Sequence, residues 1–176
     1  MIRHLKLFVL PALLGALAAP ITAQAQEQEV RATHGSWQIL CLQGTDACAM
    51  QQVGKSAQGE DALVMRISRV EGATSEDGQV IPATAEIIAP LGVILSTGLR
   101  VQVDGGQVRA TGFQICLANG CLAQDVMSEK FVNDMKGGST AKVLLVLPQQ
   151  GEVSVNLSLS GFTKAFNSLK PLQSNR

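Results

Sequence analysis

"SVNLSLS", residues 154–160, carries the reading on which the fold rests. Val155, Leu157 and Leu159 fall on one side of an extended chain, and Ser154, Asn156, Ser158 and Ser160 on the other. A period of two belongs to a strand with one buried and one wetted face. The same alternation recurs along the chain. "LVMRIS" (63–68) sends Leu63, Met65 and Ile67 inward. "LRVQVDGGQVRATGF" (99–113) alternates Leu99, Val101 and Val103, turns at Asp104-Gly105-Gly106 and resumes through Val108 and Ala110, which predicts a hairpin with a Gly-rich turn. "SWQILC" (36–41) and "CAMQQV" (48–53) read as two further strands, and "AKVLLVL" (141–147) as a more fully buried one. "EIIAPLGVIL" (86–95) begins as a strand and is broken by Pro90 and Gly92.

Two short helices interrupt this pattern. "MSEKFVNDMKGG" (127–138) has Ser128 as N-cap, Glu129 in the first turn, Lys136 in the last and Gly137 where a left-handed C-cap is wanted. Met127 and Val132 are spaced for a hydrophobic staple. "GFTKAFNSL" (161–169) places Phe162, Phe166 and Leu169 at helical spacing. About eight or nine short strands with turns between them predict a mainly β fold, an antiparallel sandwich with one or two short helices. The domain is expected over residues 26–170, followed by a disordered tail at 171–176.

The first 25 residues have a basic start (Arg3, Lys6), an apolar stretch from Leu7 to Ala19 and Ala23-Gln24-Ala25 at the end, and read as a secretory signal peptide over residues 1–25. The apolar run is shorter than the roughly 20 residues that span a bilayer, so no transmembrane segment is expected after cleavage. In an oxidising compartment four cysteines are most often two disulfides. Three pairings are open to Cys41, Cys48, Cys116 and Cys121; the local pairs 41–48 and 116–121 are favoured because each encloses a short turn-like segment, "ANG" in the second case. The spacings fit neither a structural zinc site nor a C-x-x-C redox centre at a helix start.

Cleavage leaves 12 basic against 14 acidic residues, a net charge of −2. The basic residues are scattered, so no nucleic-acid partner is expected. Tyrosine is absent, and Trp37, Phe113, Phe131, Phe162 and Phe166 are the aromatics that remain, too few for a stacking face. His34 is the single histidine left, with no nucleophile signature elsewhere, and no catalytic residue is assigned. The adjacent carboxylates Glu60-Asp61 and Glu76-Asp77 sit in polar, Gly-containing stretches and read as loop charges. Met50, Met65, Met127 and Met135 lack the clustering of a soft-metal site, and no metal or cofactor is expected. Asn156-Leu157-Ser158 matches the glycosylation sequon on the wet face of a strand. Leu91, Ile94 and Leu95, beside the strand-breaking Pro90 and Gly92, are the candidate interaction surface. The competing reading of that segment is a core strand with a bulge.

"HGSWQILC", "CAMQQV", "APLGVILSTGLRVQVDGG", "CLANGC" and "GFTKAFNSL" occur in an order and spacing that resemble the invasion-associated locus B family of exported alphaproteobacterial proteins, over about residues 34 to 170. The resemblance implies an immunoglobulin-like β-sandwich in a periplasmic or secreted protein, associated in some cases with the outer membrane. It also implies a role of some members in entry into host cells, and it brings no catalytic motif with it. Two classes of function follow. The first is a non-enzymatic envelope protein acting through an unknown protein partner in the envelope or on a host cell. The second is a periplasmic small-ligand or metal-handling accessory protein.

The mature chain should begin at Gln26. Intact-mass measurement of the exported species checks this, and retention of residues 1–25 would overturn it.

Overall fold

The computed structural model describes residues 27–173, and the expected signal peptide lies outside the described residues. In chain order the strands are β1 (Gln28–His34), β2 (Trp37–Leu42), β3 (Cys48–Lys55), β4 (Asp61–Glu71), β5 (Ala83–Ala89), β6 (Leu99–Val103), β7 (Arg109–Thr111), β8 (Phe113–Leu117) and β9 (Gly120–Met127). Helix α1 (Glu129–Gly137) precedes β10 (Thr140–Leu147) and β11 (Gly151–Ser158), and α2 (Phe162–Ser168) precedes β12 (Leu172–Gln173). The mainly β, antiparallel character and both helices agree with the sequence. The strands do not, however, divide into two separately bonded sheets. They run in one path, β7-β6-β10-β11-β3-β4-β5-β9-β8, with β2 also on β3, β1 on β2 and β12 parallel to β4.

The path nearly closes on itself. Its two ends, β7 and β8, are consecutive in the chain with Gly112 between them, so one extended run is handed from β6 to β9. Side chains seal the junction. The Arg109 guanidinium donates to the Asp125 carboxylate through Nε and Nη2, each at 3.1 Å, and Nη2 also reaches the Val126 carbonyl at 3.0 Å. Thr111 Oγ1 donates to the Gln124 carbonyl at 2.9 Å. Arg109 lies over the Phe131 ring of α1 at 4.9 Å. A half-buried, two-pronged pair of this kind holds its geometry better than an exposed one, whose worth is about 0–1 kcal/mol.

The second seam lies between β11 and β3, which share a single pair, Asn156 with Lys55. Next to it β2 takes the same edge of β3, from Cys41–Cys48 to Gln38–Gln51. At this fork Ser158, paired with Thr140 of β10 on one side, has no strand residue opposite it on the other, and the side chain of Gln52 takes the place of one. Gln52 Nε2 donates to the Ser158 carbonyl and Oε1 accepts from the Ser158 N–H, both at 2.7 Å. Gln52 is the one polar residue buried among the described residues, and both ends of its amide are used. Trp37 Nε1 adds a bond to the same carbonyl at 3.0 Å. The Trp37 indole, fully buried, meets the Phe162 ring edge-on at 5.3 Å, and Phe162 stacks with Phe166 at 5.9 Å. The approach is close enough that Gly35 and Gly161, both at positive φ, pack backbone against backbone: a Cβ on Gly35 would strike the Ser160 carbonyl, and one on Gly161 the His34 carbonyl.

Four local expectations are corrected. Strand β1 was not foreseen, because its exposed residues carry no apolar period. In β7 the inward position belongs to Arg109, while Val108 and Ala110 are exposed, since pairing with Asp125 sets the register. Helix α1 includes Gly137 and ends on Gly138 in an extended conformation; glycine is needed there because a Cβ would strike Val103, not for a left-handed turn. The tail is paired as far as Gln173, with Leu172 and Gln173 beside Val70 and Glu71, and residues 174–176 lie outside the described residues.

Replacing Gln52 with alanine leaves the Ser158 N–H without its partner in a part-buried position. Stability should fall by about 1–3 kcal/mol in urea unfolding, with the native circular dichroism retained below the transition.

Candidate functional site

Strand β5 ends at Ala89, opposite Cys121, because Pro90 has no N–H to continue the ladder. The chain then crosses to β10, where Ile94 N donates to the Val146 carbonyl at 2.9 Å, and makes a single 3-10 turn at Leu95–Thr97. Within this crossing Val93 is buried and Ile94 half-buried, whereas Leu91 is 56% and Leu95 50% exposed. The crossing is thus pinned by Val93 and by the backbone of Ile94, and presents the two leucines to solvent.

The adjoining hairpin adds to this surface. Cys116 and Cys121 face each other across β8 and β9 and are bonded, as are Cys41 and Cys48 across β2 and β3. On the outward face of β8, Ile115 and Leu117 are 50% and 55% exposed. Ile115 pairs with Leu122, Leu122 with Ile88, Ile88 with Val64 and Val64 with Val53. The registers therefore line up one outward apolar residue from each of five adjacent strands. A polar row runs beside it: Arg66 Nη2 donates to Gln51 Oε1 at 2.9 Å and Gln124 Nε2 to Glu86 Oε1 at 3.3 Å. An apolar strip thus crosses the outer face of five strands, edged by a hydrogen-bonded polar row.

The sequence had singled out Leu91, Ile94 and Leu95 but not the row that runs to β8. Its signal was present as broken alternation. In Ile87-Ile88 and Leu63-Val64 neighbouring apolar residues on one strand must face opposite sides, so one of each pair is outward.

The other titratable candidates do not converge. His34 is half-buried at the end of β1, paired with Trp37 across the Gly35-Ser36 turn. Asp61 pairs with Lys55 at the surface, and Glu60 and Glu76 are exposed. The Ser75 hydroxyl, donating to Asp77, holds that carboxyl below its ordinary range. Lys170, bonded to Asp46 at 2.7 Å, lowers Asp46 in the same way, with Arg31 adding to it. Met50, Met65, Met127 and Met135 are buried in the core. Among the described residues no three His, Cys, Asp or Glu side chains are grouped to hold a metal ion, and no helix is long and apolar enough to cross a membrane.

The model of the family described as "Invasion associated locus B (IalB) protein" matches residues 37–170. The chain belongs to the IalB family. Two curated relatives, invasion protein B homologs of Brucella abortus (strain 2308) and of Brucella abortus biovar 1 (strain 9-941), are each 29% identical over 163 residues, covering 90% of this chain and 88% of theirs. The crystal structure of invasion associated protein b from Bartonella henselae superposes with a TM-score of 0.61 at 27% identity, over 81% of this chain and 95% of that one. The IalB family is named for invasion and not for a reaction. Trp37, the first residue matched, is the indole of the Gln52 fork, and both cysteine pairs fall inside the matched span.

The Cys116–Cys121 bond clamps the hairpin that presents Ile115 and Leu117. Exchanging both cysteines for serine should lower stability by about 2 kcal/mol, read as a shift in the unfolding midpoint with Cys41–Cys48 still closed on peptide mapping.

Proposed function

We propose that this IalB-family protein is an exported, non-enzymatic envelope protein that works by holding another protein, in the bacterial envelope or on a host surface. Export to the periplasm or beyond, with association at the outer membrane in some settings, accords with the family's invasion-associated members and with two disulfides. The observation that carries the reading is the outward apolar row from Val53 to Ile115, extended by Leu117 and by Leu91 on the neighbouring crossing. Exposed leucine and isoleucine on rigid, paired strands lose little conformational freedom on docking, which favours affinity for a partner. The clamped hairpin and the Pro90 break hold the outer part of this surface in one shape.

Carboxylates on this surface should weaken binding and leave the fold intact. The variants are Leu91→Asp alone and Ile115→Asp with Leu117→Asp, each compared with the parent protein by cross-linking in envelope fractions and by binding to host cells. Loss of the cross-linked partner or of cell binding, by roughly 2 kcal/mol or about thirtyfold in affinity, is expected at an unchanged thermal midpoint. Folded variants that bind as the parent does would sink the proposal. A Leu91→Asp protein that fails to fold would instead return residue 91 to the core.

A further inference from the structure

The fork that Gln52 spans leaves a cleft on the outside of the sheet, of about 750 Å³. The floor is the Gln52–Ser158 bond pair, and the walls are the outward faces of β2 and β3 on one side and β10 and β11 on the other. The side chains that matter are Gln38, Gln51, Lys55, Lys142, Asn156 and Ser158. Lys142 pairs with Asn156 across β10 and β11, and Asn156 with Lys55 across β11 and β3, so two ammonium groups flank one amide. Neighbouring cross-strand side chains stand about 5 Å apart, which separates the two lysine stems by roughly 10 Å. Among the described lining residues none is acidic. Lys55 is held by Asp61 in an exposed pair that water and salt weaken, while Lys142 forms no ion pair with any described residue.

We infer that this cleft is a binding site for an anionic saccharide, a sugar bearing a carboxylate or a phosphate. Two features select that chemistry. The first is electrostatic: a chain with a net charge of −2 after signal removal has gathered two lysines, and no lining acid, around one concavity. The second is the kind of hydrogen-bonding group on offer. A peptide could be recognised here by adding a strand, but that needs free backbone groups at the fork. The Ser158 N–H and C=O are already taken by Gln52 and Trp37. What remains is hydroxyls, the Gln51 Nε2 and the side-chain amides of Gln38 and Asn156, and such an amide carries a donor and an acceptor side by side, matched to the vicinal hydroxyls of a sugar ring. The cleft volume lies within the range of small-molecule sites and accommodates a disaccharide. The site is separate from the function proposed above, although Val53 lies on the border between the cleft and the apolar row.

Titration of the full exported protein, followed by amide chemical shifts, tests this with four probes: chondroitin disaccharide, glucose 6-phosphate, neutral lactose and a tetraglutamate peptide. Either anionic sugar should shift Gln38, Gln51, Lys142 and Asn156, more weakly at high salt. The carboxylated and phosphorylated probes show which anion is preferred, and binding of either supports the site. Lactose should bind about tenfold more weakly. Lys142→Gln, an exposed substitution that preserves the thermal midpoint, should weaken the anionic sugar about tenfold. The inference is overturned if neither anionic sugar shifts these residues at millimolar concentration, if tetraglutamate binds as well as the sugars, if lactose matches them, or if Lys142→Gln changes nothing.

Discussion

The bond pair between the Gln52 amide and the backbone of Ser158 is the constraint on which the architecture turns. A strand edge can accept one neighbour at a time, and β3 has to serve both β2 and β11 along the same side. The changeover leaves the Ser158 N–H and carbonyl without a strand partner in a part-buried position. Glutamine is suited to repair this because its side chain ends in a copy of the peptide group. Because β11 can leave β3 at that point, β2 can come alongside and deliver Trp37 beneath the fork. The indole bonds the same carbonyl and supplies the ring against which Phe162 and then Phe166 of α2 pack. One amide on β3 therefore connects the branching of the sheet to the docking of the C-terminal helix.

The branching also sorts the outer surface by chemistry. On one side of β3 the sheet is continuous through β4, β5, β9 and β8, and an unbroken register lets one apolar residue per strand align. On the other side the strands diverge, and the recess fills with amides, hydroxyls and lysines. A rigid apolar strip suits a protein surface, and a polar recess suits a small hydrophilic ligand. Both meet at Val53, so a single strand borders the two. On the two readings proposed above, that arrangement would let one strand serve a protein partner and a small ligand without a mobile element.

Much of this could be read along the chain, and what could not has a common cause. Period-two patterns located β2, β3, β4, β6, β10 and β11, and the caps and aromatic spacing located both helices, because these signals lie within one element. Polar β1 gave no such signal. The inward turn of Arg109 in β7 was illegible for a different reason: it depends on Asp125, 16 residues away, and reverses the side that the apolar pattern alone assigns. The same holds for the surface. Leu91 and Leu95 were identifiable from Pro90 and Gly92 beside them, whereas the row through Val64, Ile88, Leu122 and Ile115 exists only once four strand registers are fixed. The bonding role of Gln52 is likewise a relation between residues 106 positions apart.

The run from Arg109 to Leu117 is shared between two edges of the sheet, with its first half on β6 and its second on β9. Ordinary sheet ends fray independently, each strand peeling away at its own small cost. Here the halves are joined through one residue, Gly112, so lifting either half pulls on the other and strains the Arg109–Asp125 pair between them. Opening at this seam becomes a concerted event in which β6 and β9 lose protection together, and the amides of both strands would exchange with solvent as one unit.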